Sequence, residues 1–224
     1  MAALPDDIET HVPMIPPLAD VDAIAQTLLR ELPDRFFLAG FSFGGYVALA
    51  MHALAPERIE GVALVNSSAL ADNKQTRELR RRSIERAAAG EHESLTMEQL
   101  PLVFHPDNLG NAEIQREFER MIPEYGAERF IAHMEACIAR PDRRESLAGT
   151  STPFLLAAAR GDRLIPPGVQ KTVLEAAEHA VYSEFDGAGH MLPMERPQAL
   201  AEVLFGWVAQ VECMPVAVRA GPRI

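Results

Sequence analysis

The chain has 224 residues, 48% of them hydrophobic, which suits one domain with a real core that can also carry a subdomain. Its formal net charge of −11 repels phosphates and so points away from a nucleic-acid partner and from an anionic membrane surface. Two cysteines, Cys137 and Cys213, are too few for a disulfide framework, and Met1 to Asp7 lack the basic region and apolar core of a signal peptide; the expectation is a cytoplasmic protein with no membrane span.

In chain order, Ile8 to Ile15 predict a short strand cut off by Pro16-Pro17, which removes ladder donors and fixes an extended exit. Asp20 is placed to cap a helix through about Glu31, with Val21, Ile24, Leu28 and Leu29 on one face, and Pro33-Asp34 breaks it. Phe36 to Gly40 then form an apolar strand. It runs into a sharp Gly40-Phe41-Ser42-Phe43-Gly44 turn and an Ala-rich helix to about Leu54, ended by Pro56. Gly40 and Gly44 lack a β-carbon, which would let strand and helix pass close to each other. Ile59 to Asn66 read as a second buried strand, and strand, helix, strand in this rhythm implies parallel pairing.

From Ala71 to about Gly149 the pattern becomes helical and highly charged. Helices are predicted near 74–89, 96–104, 111–122, 126–139 and 142–147, punctuated by Pro101, Pro106, Pro123 and Pro141. The Arg80-Arg81-Arg82 run, with Glu78, Glu85 and Arg86 nearby, reads as a solvated helix face. Met97, Leu100, Phe104, Phe118, Met121, Phe130 and Met134 are the apolar candidates for lining a pocket, and they favour a substrate with an apolar portion.

The strand-helix rhythm resumes at Thr152. Pro153 to Ala159 form a buried strand that ends in Arg160-Gly161-Asp162, and a helix from Pro167 to about Glu178 follows. Val181 to Phe185 make a last strand leading into Asp186-Gly187-Ala188-Gly189-His190. An amphipathic helix from about Pro197 to Val211 precedes a loose tail over residues 213–224.

Ser42, Asp162 and His190 each fall just after a predicted strand, where catalytic groups gather in open parallel sheets. A serine hydroxyl needs a base to become a good nucleophile; His190 would be that base and then the acid for the leaving group, and Asp162 would fix the imidazole's tautomer. Asp186 is a rival acid, lying on the same strand exit as His190. The Phe43 N–H, at the start of the helix behind Ser42, points where a substrate oxyanion would form. No histidine, carboxylate or cysteine set has metal-ligand spacing, and no glycine-rich phosphate loop is present, so no metal and no cofactor is expected.

The Gly-x-Ser-x-Gly turn between strand and helix resembles the nucleophile elbow of the α/β-hydrolase family. The Gly-Asp-x-x-x-Pro-Pro segment around Asp162 and the Gly-x-Gly-His segment around His190 resemble the acid and base loops of its cap-bearing members. The resemblance runs from about residue 8 to residue 211. It implies an α/β fold with a mostly parallel sheet flanked by helices, a core of residues 1–70 and 150–212, and a helical cap over 71–149. It also implies a serine hydrolase that cleaves a small-molecule carboxylic ester with an apolar acyl or alkyl part, through an acyl-enzyme on Ser42. The alternatives are a carbon–carbon bond hydrolase with the same triad and a catalytically impaired binding protein. The departure is at the front: the family places several strands before the nucleophile strand and draws a second oxyanion N–H from a loop there, whereas no glycine precedes Gly40. The expectation is a member shortened at its N-terminus, with a late start codon, a real truncation or a homodimer that fills the gap as the explanations.

Overall fold

The computed structural model describes residues 8–214. Four strands, β1 (Phe36–Phe41), β2 (Ile59–Val65), β3 (Phe154–Ala159) and β4 (Ala180–Phe185), pair in parallel in the order β1-β2-β3-β4. The register aligns Phe41 with Val65, Val65 with Ala157 and Ala159 with Phe185, so the carboxyl ends of all four strands meet along one rim.

Period-two alternation decides which face each residue serves. Val62, Leu64, Phe154 and Leu156 face helix α2 (Phe43–Leu54) through Ala48 and Leu49, while Ala63 and Leu155 face Trp207 and Val211 of the last helix. Helix α1 (Val21–Leu29) packs outside α2, with Val21, Ile24 and Leu28 against Tyr46, Val47 and Met51. It begins as the sequence predicts, with the Asp20 carboxylate accepting from the Ala23 N–H at 2.8 Å.

Between β2 and β3 lies a helical insertion: α3 (Lys74–Arg86), α4 (His92–Glu98), α5 (Leu100–Val103), α6 (Ala112–Tyr125), α7 (Ala127–Ala139) and α8 (Arg144–Leu147). A widened turn over Ala87–Glu91 joins α3 to α4, and Gly90 takes a positive φ of 91° there. This break moves the helix predicted over 96–104 back to 92–98, with a separate turn at 100–103. Past β3 the single helix predicted over 167–178 is two short ones, α9 (Pro167–Gln170) and α10 (Thr172–Ala176). After β4 come α11 (Leu192–Glu195) and α12 (Pro197–Glu212). No helix of the described residues is long and apolar enough to cross a membrane. Of the predicted tail, residues 215–224 lie outside the described part.

Three expectations are corrected. Residues 8–15 form no strand: Val12 and Met14 are 75% and 72% exposed, while Ile15 packs on the α1–α2 cluster and the Pro16 carbonyl accepts from His133 Nε2 at 2.9 Å. Helices, not a neighbouring strand, are what this segment lies against. Arg80 is not part of a solvated face. Its guanidinium bonds the buried Asp72 at 2.6 Å, and Arg140 approaches the other oxygen of the same carboxylate at 2.8 Å, so the two ends of the insertion share one ion cluster. The close approach at the elbow belongs to Gly40 and Gly45 rather than Gly44. A β-carbon on Gly40 would lie 2.4 Å from the Gly44 carbonyl oxygen and one on Gly45 2.2 Å from Ser67 Oγ, whereas one on Gly44 meets nothing within 4 Å.

Gly40→Ala is therefore expected to cost about 1–3 kcal/mol in urea unfolding, while Gly44→Ala stays within about 1 kcal/mol of the parent; equal costs would contradict this geometry. Burial pushes the His52 imidazole down to about 4. Its folded value lies below its unfolded one, so the unfolded chain binds the extra proton and stability falls as pH drops from the unfolded value of about 6.5 toward 4. A pH series of unfolding free energies should lose this slope in His52→Gln.

Candidate active site

The reacting corner starts at Ser42, between β1 and α2. Its backbone stands at φ 48° and ψ −114°, held by a bond from its N–H to the Val65 carbonyl (2.9 Å) and by two bonds onto its own carbonyl, from Gly45 N–H (3.0 Å) and Ser67 Oγ (2.8 Å). A non-glycine residue at positive φ is held there only when its surroundings dictate it. The turn holds the Ser42 hydroxyl beyond the strand end, 2.8 Å from His190 Nε2.

His190 is 3% exposed, and its Nδ1 lies 2.9 Å from Asp162 Oδ2. A carboxylate only accepts, so Nδ1 carries the proton and Nε2 presents its lone pair to the Ser42 hydroxyl, which donates. Asp162 is likewise 3% exposed. Its other oxygen accepts from the N–H groups of Leu164 (2.9 Å) and Ile165 (2.8 Å), which fixes the carboxylate plane; Gln170 Nε2 adds a long contact of 3.4 Å to Oδ2. The structure thus brings Ser42, His190 and Asp162 into one row. Asp186, the rival acid, is exposed and pairs with Arg160 at 2.8 Å. Phe43 is the first residue of α2, so its N–H has no carbonyl four residues back to bond. Its ring stacks on His133 of α7 at 4.3 Å between centroids.

The apolar candidates divide. Met97, Leu100, Phe104 and Phe118 share a cluster with Phe41 and Met191, the neighbours of Ser42 and His190. Phe130 and Met134 sit in a separate cluster within the insertion, and Met121 is 41% exposed.

Sequence reasoning missed Asn66. Fully buried at the end of β2, with φ 44°, it donates through Nδ2 to the carbonyls of Gly189 (3.0 Å) and His190 (2.8 Å) and accepts at Oδ1 from Ala159 N–H (2.8 Å). It joins the ends of β2 and β3 to the loop that carries the imidazole. The available signal was a residue tolerant of positive φ closing an apolar strand on the catalytic rim. Asn66→Asp keeps the Ala159 bond but turns an oxygen on two carbonyls, so it is expected to destabilise at least as much as Asn66→Ala, by about 2–4 kcal/mol in denaturant titrations. A clearly smaller cost for the aspartate would refute the assigned amide orientation.

Comparison with known proteins identifies the fold's relatives. Residues 6–203 match the model of the alpha/beta hydrolase family. The candidate carbamate hydrolase RutD of Azorhizobium caulinodans is 29% identical over 183 residues, which cover 78% of this chain and 66% of that protein, so the chain spans just under two thirds of that relative's length. The pimeloyl-acyl-carrier-protein methyl ester esterase of Klebsiella pneumoniae is 25% identical over 207 residues, covering 85% of this chain and 76% of the esterase. Among solved structures, a thermophilic esterase from Thermogutta terrifontis superposes with a TM-score of 0.80 at 24% identity, covering 93% of this chain and 77% of its own. The enol-lactonase from Burkholderia xenovorans does so with a TM-score of 0.76 at 22% identity, covering 85% and 73%. With the family model spanning nearly the whole described fold, the chain belongs to the alpha/beta hydrolase family.

Proposed function

We propose that this chain is a serine hydrolase that cleaves a carboxylic ester with an apolar acyl or alkyl part, through an acyl-enzyme on Ser42. The observation that carries the reading is the unbroken relay from Ser42 Oγ to His190 to Asp162, at 2.8 and 2.9 Å. His190 Nε2 takes the hydroxyl proton as Ser42 Oγ attacks the ester carbonyl. The proton then passes to the departing alkoxide as the carbon–oxygen bond breaks, leaving the acyl group on Ser42. Water, deprotonated by the same nitrogen, attacks that acyl carbonyl; the acid leaves and Oγ recovers its proton. Asp162 holds the imidazole in the tautomer this sequence needs and stabilises its cationic form.

The carbonyl oxygen that becomes negative is answered by the Phe43 N–H and by the positive end of α2. The helical insertion serves as the cap. Its cluster around Phe104 and Phe118 meets Phe41 and Met191 beside the reacting atoms, which favours an apolar group there over a sugar or a polyanion. The methyl ester esterase among the relatives is in keeping with this choice, and the RutD relative makes carbamates the control substrate.

Wild-type chain should take up one fluorophosphonate at Ser42, and Ser42→Ala should abolish labelling and lower ester hydrolysis by about 10⁴–10⁶-fold. Asp162→Asn should cost about 10⁴-fold while leaving the fold intact. Across p-nitrophenyl esters of rising acyl length, kcat/KM should climb beyond acetate and exceed that for aryl carbamates. A folded wild-type protein that never labels would sink the enzymatic reading.

A further inference from the structure

Glu195 closes α11 at 5% exposure, so its carboxylate is buried. Oε1 accepts from the Gly189 N–H at 2.7 Å, while Oε2 accepts from the His105 N–H at 2.8 Å and from Asn108 Nδ2 at 2.5 Å. Gly189 is the residue before His190. His105 and Asn108 belong to the helical insertion, 90 and 87 positions away from Glu195 along the chain. Two more bonds bracket the same loop. The Met191 N–H donates to the Val103 carbonyl at 3.0 Å, and Asn108 Nδ2 also donates to the Gly187 carbonyl at 3.1 Å. Residues 187, 189 and 191 are thus each tied to residues 103–108, with His190 among them. The two backbones touch: a β-carbon on Gly189 would lie 2.7 Å from the His105 nitrogen.

We propose that Glu195 is a positioning residue that makes the place of the His190 imidazole depend on the seating of residues 103–108. The proposal rests on the reading of Ser42, His190 and Asp162 as the reacting groups. A buried carboxylate is tolerable only while hydrogen bonds answer its charge. Two of the three donors to Glu195 come from the insertion. Lifting residues 103–108 removes both and leaves the buried carboxylate with one donor, the Gly189 N–H. Water then has to reach the carboxylate, and the path runs through the loop that holds His190. Asn66 steadies the Gly189 and His190 carbonyls from the core side and Asp162 holds Nδ1 of the ring; Glu195 adds the support that runs through the insertion, from the Gly189 N–H to residues 105 and 108. Closure of the insertion over a substrate and alignment of the base become one event.

Two variants test this. Glu195→Gln is nearly isosteric, yet its amide NH2 must face an N–H on one side or the other. Asn108→Ala keeps the carboxylate and removes one donor. Hydrogen exchange by mass spectrometry should show residues 103–108 and 187–191 of the free protein exchanging faster together in both variants, with strand β3 unchanged. The rate of fluorophosphonate labelling at Ser42 should fall roughly tenfold or more in Glu195→Gln and less in Asn108→Ala, and kcat for a p-nitrophenyl ester should fall further than KM rises. Labelling of folded Glu195→Gln within about twofold of wild type overturns the proposal. So does faster exchange confined to one of the two segments, or spread equally into β3. Should Glu195→Gln fail to fold, Asn108→Ala decides by the same readouts. A wild-type chain that never labels overturns the reading of Ser42 instead, and the paired exchange of the two segments still decides the clamp.

Discussion

Ser42 holds a backbone state, φ 48° and ψ −114°, that a residue with a β-carbon seldom keeps on its own. Everything on the rim answers to that constraint. The turn closes only because β1 and α2 come within contact of each other, with the Gly40 α-carbon against the Gly44 carbonyl and Gly45 against Ser67. Ser67 in turn donates to the Ser42 carbonyl, so the strand next to the elbow helps to hold it. The result is a hydroxyl fixed in space before any substrate arrives, with the first N–H of α2 directly behind it. Preorganisation of this kind costs stability locally and is sustained by the packed sheet beneath, where all six residues of β3 are buried.

His190, the proposed base, is held quite differently. His190 sits on a loop, and a loop has no ladder to fix it. Polar side chains bond this loop: Asn66 from the end of β2 and Asp162 from the end of β3, both distant in sequence, and Glu195 from α11, five residues on. All three are buried: Asn66 is satisfied by backbone groups, Asp162 and Glu195 by backbone groups and side chains together. Such a network is unforgiving, because one missing partner leaves a buried polar group unpaired. It also explains why parallel strands in sequence order matter here. They deliver the ends of β2 and β3 to one edge, within reach of the loop that follows β4.

Much of this was legible in the residues. The Gly-x-Ser-x-Gly turn announces a tight strand-to-helix junction, and apolar runs of six or seven residues mark β1 to β4 because a sheet covered on both faces needs them. Asp162 stood out from Asp186 by its place in the Gly-Asp-x-x-x-Pro-Pro loop and because Asp186 shares the strand exit of His190; the structure adds that the second oxygen of Asp162 is filled by the N–H groups of Leu164 and Ile165. What stayed hidden depends on contacts distant in sequence. Nothing local distinguishes the half-buried Arg80 from the exposed Arg81 and Arg82 beside it; an aspartate eight residues back makes the difference. Asn66 and Glu195 look like ordinary strand-end and helix-end residues until the loop they hold is in view. Among three glycines in a row of six residues, sequence could not say that Gly45 rather than Gly44 meets another strand's exit. Insertion helix boundaries slipped for a local reason: Gly90 at positive φ interrupts the period that was being followed.

The shared ion cluster of Asp72, Arg80 and Arg140 has a mechanical consequence. One buried carboxylate receives a guanidinium from each limb of the insertion, and Arg140 also lies 3.9 Å over the Tyr46 ring of α2 and donates to the Leu70 carbonyl. The insertion is therefore bolted at its root to the same helix that begins behind Ser42. Residues 103–108 of the same insertion rest on the imidazole's loop, so loss of the Asp72 carboxylate would leave two guanidiniums without their partner and loosen the root of the body that reaches that loop.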